Sequence, residues 1–248
     1  MKRLFAAGSL IFLLLIGYIG ITVATLPDVT PLKKTNPTVT SMMEQRAEEN
    51  HIDPRPLRTW ASYNNISPYL RNAVLIAEDS SFFQHSGYDI GEIKESVKRD
   101  WREKRFARGA STITQQLAKN LYLSTSRNPL RKVRELFIAQ ELEQNLSKQR
   151  IFEIYLNVIE WGDGVYGIEP ASRRYFGKPS SQLFPEEAAI LAAMIPNPRR
   201  YTPDRNLKYL EKRKAEILDR LVRWKYLAPD EYRAAVVRPV VFQSSRVQ

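Results

Sequence analysis

From Leu4 to Leu26 the chain runs 23 residues without a charge, directly after Lys2 and Arg3. As a helix that run measures ~35 Å at 1.5 Å per residue, enough to cross a ~30 Å hydrocarbon layer. Thr22-Val23-Ala24 loosely resembles a cleavage site for an export signal. The apolar run, however, exceeds the ~7–15 residues usual for such a signal. The reading is therefore an uncleaved membrane anchor, N-terminus cytoplasmic by the positive charges before it, with the remaining chain outside. The expected organisation is a cytoplasmic tip and anchor over 1–26, a stalk over 27–56 rich in Pro and Thr, and a folded domain over 57–248. A short helix is expected within the stalk near Ser41–Asn50.

Composition narrows the chemistry. The 248 residues include no Cys and two His, His51 and His85, which excludes disulfide scaffolds, thiol nucleophiles and His-rich zinc centres. An excess of 38 Lys+Arg over 27 Asp+Glu, net +11, points to an anionic partner. Outside a membrane, nucleic acid is excluded, leaving the lipid surface or a phosphorylated substrate. Six cations with Trp101 and Phe106 across Lys98–Arg108 suit either a membrane interface or a solvated helix. From Trp60 onward apolar residues recur at three and four, so the domain reads as mainly α. A strand is expected only near Val236–Phe242, and a closing helix over Asn206–Tyr226.

Capped helices carry the chemistry. Ser67 and Pro68 open a helix whose inner stripe is Leu70, Val74 and Ala77. It ends at Glu78-Asp79, before an aromatic loop through Phe82, Phe83 and His85. A carboxylate at a helix C-terminus beside aromatics meets the negative end of the dipole and partial desolvation, and both raise its pKa. A solvated helix-ending acid has the same spelling, and His85 reads as a hydrogen-bonded structural residue. Next, Thr112 and Gln115 match a capping box, with Ile113, Leu117 and Leu121 as the buried stripe. Ser111, Gln115 and Lys119 share another face, placing a hydroxyl, an amide and an ammonium where one phosphate could meet them. Asn128 and Pro129 open a third helix, on which Arg131 and Lys132 lie on the same side as Glu135. Two acids whose surroundings push their pKa values apart are a pattern for acid–base work, although surface ion pairs have the same spelling.

Taken together, these residues resemble the peptidoglycan glycosyltransferases of family 51, found alone or in bifunctional penicillin-binding proteins. Glu78-Asp79, Phe82, His85 and Gly87 match the first signature. Gly109 to Gln116 with Lys119-Asn120 match the second, and Arg131-Lys132, Glu135, Ala139 and Leu142-Glu143 the third. Lys148, Ile151, Glu153 and Tyr155-Leu156-Asn157 match the fourth; Gly162, Tyr166-Gly167-Ile168, Ala171 and Tyr175 to Lys178 match the fifth. Pro170 departs from the small helix formers expected beside Ala171, and is tolerated if it opens a helix. Trp161–Pro203 looks like the monofunctional type. No Ser-x-x-Lys or Lys-Thr-Gly occurs, so no transpeptidase is expected.

The resemblance implies a lysozyme-like helical domain behind a single transmembrane helix at a bacterial inner membrane, facing the periplasm. It implies polymerisation of lipid II into β-1,4 glycan with inversion and release of undecaprenyl diphosphate. Its partners would be lipid II, the growing strand, the bilayer and other wall-synthesis or division proteins. By that resemblance Glu78 is the base. Lys119, Arg127, Arg131 and Lys132 meet the diphosphate, with Ser111 and Gln115 adding hydrogen bonds. Glu135 either orients those cations or holds a divalent ion (Mg or Mn) on the diphosphate; no cofactor is required. Tyr155, Trp161, Tyr166, Tyr175 and Phe176 read as core more than as sugar platforms. A glycan-cleaving lytic enzyme and a non-catalytic membrane scaffold are the alternatives.

Overall fold

A computed structural model describes residues 13–14, 16–54, 59–89, 91, 94, 111–125 and 128–243. Arg127 and the basic stretch Lys98–Arg108 lie outside the described residues, as do 1–12 and 15 of the apolar run. Residues 16–24 are helical, and no helix among the described residues is long and apolar enough to cross a membrane.

The fold is mainly helical. We number the helices α1 Ser41–Glu49, α2 Pro68–Glu78, α3 Ile113–Tyr122, α4 Pro129–Asn145 and α5 Lys148–Val158. After the hairpin β1 Glu160–Gly162 and β2 Val165–Tyr166 come α6 Ile168–Phe176, α7 Pro185–Met194, α8 Pro203–Arg223 and α9 Pro229–Val237. The strands pair antiparallel, Glu160 with Tyr166 and Gly162 with Val165.

Helix α7 is apolar all round and every one of its ten residues is buried, which makes it the central rod. Its two acids are paired rather than abandoned: Glu186 with Arg238 at 2.9 Å and Glu187 with Lys178 at 2.7 Å. Helices α2 and α8 pack on α7, while α3 packs on α4 and α5. Phe82, Phe152 and Tyr155, all fully buried, fill the space near the end of α2. Helix α1 packs on α3 through Met42, Met43 and Ala47, and Val29 and Leu32 are buried too, so the Pro-rich lead-in lies against the body.

Three local expectations change. Val236–Phe242 does not form a strand; α9 continues to Val237 and the chain then runs on without regular structure. The apolar spelling there is a helix end followed by Pro239, which cannot extend it. The closing helix starts earlier, at Pro203, bends at Asn206 (φ −151°, ψ 48°) and stops at Arg223. Its buried stripe is Leu210, Ile217, Leu218 and Leu221; Leu207 and Trp224 are exposed. Pro170 sits in the first turn of α6, where a missing N–H does no harm.

Asn157 pins the segment entering α2. Its amide accepts from Ala61 N–H at 2.9 Å and donates to Ala61 C=O at 2.8 Å, all buried. Gly167 closes the same corner at φ 86°, where a Cβ would stand 2.9 Å from the Asn157 carbonyl oxygen. Asn157→Ala leaves both backbone groups of Ala61 unpaired and is expected to lower stability by about 2–4 kcal/mol. Urea unfolding checks this; a loss under about 0.5 kcal/mol contradicts it.

Candidate active site

Glu78 is the last residue of α2, carried there by the buried stripe Leu70, Ala73, Val74 and Ile76. The residue keeps some solvent contact, but protein surrounds its carboxyl. Gln116 Nε2 donates to Oε2 at 2.8 Å, and the Gln116 carbonyl accepts from the Tyr155 hydroxyl at 2.9 Å. Tyr155 is fully buried on α5, so the amide is held from behind. Burial pushes the Glu78 carboxyl up, and Asp79 adds to this; the Gln116 hydrogen bond and the charges of Arg213 and Lys119 oppose it. The upward direction read from the sequence therefore holds, with desolvation as the leading cause.

Asp79 does structural work beside it. Its carboxylate accepts the Ile113 N–H at 3.0 Å, at the start of α3, and contacts His85 Nε2 at 3.0 Å. Thr112 caps α3 by accepting from Gln115 N–H at 3.3 Å and donates to Gly87 C=O at 2.8 Å. The capping box is only half formed. Gln115 Nε2 donates to Gly87 C=O at 3.2 Å instead of turning back, because the loop carbonyl competes for it. Gly87 needs its φ of 88° and has Glu143 Cγ 3.2 Å from where a Cβ would stand.

The second acid is placed differently. Glu135 is 3% exposed, yet both oxygens meet cations: Arg131 Nη1 at 2.7 Å and Lys132 Nζ. The same Lys132 ammonium donates to Ser111 Oγ at 3.0 Å and Gln115 Oε1 at 3.1 Å. The ammonium that joins the hydroxyl and amide of α3 is thus that of Lys132 on α4, where the sequence pattern pointed to Lys119. Helical spacing on one element could not foresee a neighbour reaching across. Lys119 stands within electrostatic reach of both acids. Burial lowers its pKa most, Arg131 and Lys132 lower it further, and Glu135 and Glu78 oppose.

An open cavity of about 220 Å³ adjoins these groups, walled by Gln116, Lys119 and Tyr155 on one side and by Arg46, Glu160 and Arg199 on the other. Gln116 and Arg213 were not singled out from the sequence. The doubled Gln115-Gln116 was the available sign, since two adjacent amides on one helix face different ways. Of that aromatic set, Trp161 is buried core, Phe176 stacks on Phe242, and Tyr155, Tyr166 and Tyr175 each line a cavity.

Both Glu135 oxygens are bridged by cations, and among the described residues no three His, Asp or Glu side chains are grouped as metal ligands.

The transglycosylase family pattern matches residues 45–222. The biosynthetic peptidoglycan transglycosylase of Nitrosomonas eutropha is 46% identical over 189 residues, 75% of this chain and 78% of its own. That of Laribacter hongkongensis is 46% identical over 191 residues (76% and 83%), and that of Azoarcus sp. 49% over 169 residues (67% and 73%). A solved penicillin-binding protein 1A from Haemophilus influenzae aligns over 53% of this chain and 16% of its own at 33% identity. Its TM-score, 0.37, is too low to compare folds. The chain belongs to the transglycosylase family.

The folded Glu78 carboxyl keeps its proton to higher pH than in the unfolded chain. Its ionisation therefore opposes folding, not at all below the ordinary value of 4.5 and increasingly as pH rises through the folded value. Glu78→Gln removes that opposition. Its melting temperature is expected to exceed the parent's at pH 8, with the gap closing at pH 4. A gap that widens toward pH 4 contradicts the raised carboxyl.

Proposed function

We propose that the protein polymerises the disaccharide-peptide lipid of wall synthesis, lipid II, into β-1,4 glycan with inversion at the donor anomeric carbon. It is a peptidoglycan glycosyltransferase. The observation that carries the mechanism is the pairing of two unlike acids across one site: Glu78 buried on an amide, Glu135 locked between cations.

A sugar hydroxyl is a poor nucleophile and needs a base as it attacks. Glu78 takes the proton of the acceptor 4-hydroxyl; burial raises its affinity for a proton, which suits that step. Gln116, held by Tyr155, keeps the carboxyl aimed. The leaving diphosphate gathers charge as the bond to the anomeric carbon breaks. Lys119, Arg131 and Lys132 meet it, with Ser111 and Gln115 donating further bonds, and Arg127 is assigned there from the sequence. Glu135 positions Arg131 and Lys132 and keeps two cations from repelling each other out of place. No step is routed through a metal ion.

Residues 4–26 anchor this chain in the membrane, with the domain on the periplasmic side. Leu13, Leu14, Ile16 and Ile21 are exposed, as lipid-facing residues are. The lower end of that segment is fixed to α4: Tyr18 OH donates to Leu130 C=O at 2.7 Å, and Arg134 Nη1 donates to Thr25 Oγ1 at 2.8 Å. These bonds support the reading, because with residues 4–26 in lipid they would keep the helix that gathers the diphosphate cations near the bilayer, where a polyprenyl diphosphate lies. A lysozyme-like arrangement of the domain belongs to the same reading.

The test is polymer formation and undecaprenyl diphosphate release from lipid II in detergent. Glu78→Gln, folded by circular dichroism, is expected to lose at least ~10²-fold in rate. Shortening of pre-made glycan in place of polymer supports a lytic enzyme; neither reaction, with lipid or partner binding retained, supports a scaffold. Lys132→Met is expected to lower the rate by about 10²-fold, and more steeply than it raises KM, because its charge is wanted most as the diphosphate departs. An effect on KM alone contradicts that role.

A further inference from the structure

A second open cavity, about 380 Å³, lies beyond Arg46 from the one beside Gln116 and Lys119. The two share Arg46 and Glu160 in their walls, so this trough adjoins the cavity beside Gln116 and Lys119. Helix α1 and the turn after it make one side; the hairpin β1–β2 and Arg174 of α6 make the other.

Three polar groups meet in its floor, two of them with bonding capacity unused, while Glu160 Oε1 accepts from Gly164 N–H at 3.2 Å. The Tyr166 hydroxyl is buried without a partner among the described residues, and so is Arg46 Nε. The nearest Glu160 oxygen stands 3.8 Å from that Nε, beyond hydrogen-bond length. Burial is the leading cause that raises the Glu160 carboxyl, and burial with the Glu160 charge raises the Tyr166 phenol well above its ordinary value. Such groups are costly to bury unpaired, so a floor of this kind suits a ligand offering donors and acceptors together. The rim is charged with both signs: Asp53 on the α1 side, Arg174 opposite, both exposed. A neutral sugar answers the floor but gives neither rim charge a partner. A peptide answers all of it, with amide N–H and C=O groups for the floor and its amine and carboxylate for the rim.

We propose that this trough binds the peptide arm of the disaccharide-peptide substrate, with Tyr166, Glu160 and Arg46 bonding its amides and Arg174 its carboxylate. The inference rests on the glycosyltransferase reading above and adds to it a determinant of stem-peptide preference. These residues touch a remote part of the substrate, so their effect falls on binding.

The experiment uses the full chain in detergent with two substrates, lipid II bearing its whole peptide and lipid II truncated to one amino acid. Truncation is expected to raise the parent's KM about five- to tenfold, the worth of one charge-assisted hydrogen bond. Arg174→Ala is expected to raise KM for the whole substrate by a similar factor and to add nothing on the truncated one. Tyr166→Phe, which keeps the ring, should act in the same sense but more weakly. Equal effects of Arg174→Ala on both substrates overturn the inference in favour of a sugar subsite or a structural role. Indifference of the parent to truncation overturns it as well. Polymer from the whole substrate keeps the glycosyltransferase reading in either case; no polymer from either substrate sinks both.

Discussion

The junction between the end of α2 and the start of α3 determines where every reactive group points. Residues 80 to 89 leave α2, and the Asp79 carboxylate ties that departure to the first N–H of α3 and to His85. A carboxylate at a helix N-terminus satisfies an otherwise unpaired donor and favours the positive end of the dipole. With that tie made, Gln116 one turn into α3 lies against Glu78, and Gln115 beside it faces the opposite way, toward Lys132. One backbone placement therefore serves both acids. Thr114, on the same turn, is bonded to Glu143, which also pairs with Lys148. The fixed partner of Asp79 is thus itself braced from α4 and α5.

The two acids show how opposite electrostatic tasks fit within one helical domain. Glu78 receives a neutral amide as its nearest partner, while Lys119 and Arg213 act on it through their charge. That leaves burial dominant, and a buried carboxyl favours the protonated form. Glu135 is equally covered but is bridged by a guanidinium and an ammonium, which supply the charge that burial withholds. Moving Lys132 from Glu135 to Glu78 would undo both environments at once. The separation of roles is a matter of which helix carries the cations, and α4 carries them beside Glu135.

Helix identity was legible wherever a cap and an apolar stripe coincided. Thr112 and Asn128-Pro129 open helices where the spelling says they should, and so does Pro68, although the Ser67 hydroxyl donates to Leu183 C=O at 2.9 Å and does not cap; the described acids and cations sit on the expected elements. The hydrogen-bond partners were less legible, because they cross between helices. Ser111 and Gln115 were rightly joined to a cation, but periodicity along α3 pointed to Lys119, and the ammonium comes from α4. The capping box was misread for a similar reason: Gly87, 28 residues earlier in the chain, captures the Gln115 amide. The strand expected over Val236–Phe242 failed because β-branched residues at a helix end spell the same way as a short strand. Arg213 carries no local sign at all; only the packing of α8 against α2 brings it near Glu78.

The lead-in from the apolar segment is bonded to the helices that carry the candidate site. Arg150 on α5 donates to Leu32 C=O at 2.9 Å and to Thr35 C=O at 2.9 Å, while Arg134 on α4 holds Thr25. Thr25, Leu32 and Thr35 of the lead-in are therefore bonded by two arginines of α4 and α5. A tether of this kind has little freedom to swing, unlike a flexible Pro-Thr linker of equal length. If residues 4–26 lie in lipid, the height of α4 above the surface follows from these bonds, and so does the depth at which Arg131 and Lys132 meet a diphosphate. Charge placement and anchoring then become one constraint. With that segment in lipid, the basic excess of the chain would act at a fixed distance from the membrane, and its effect on a lipid-borne anion would come from that geometry as much as from the net charge.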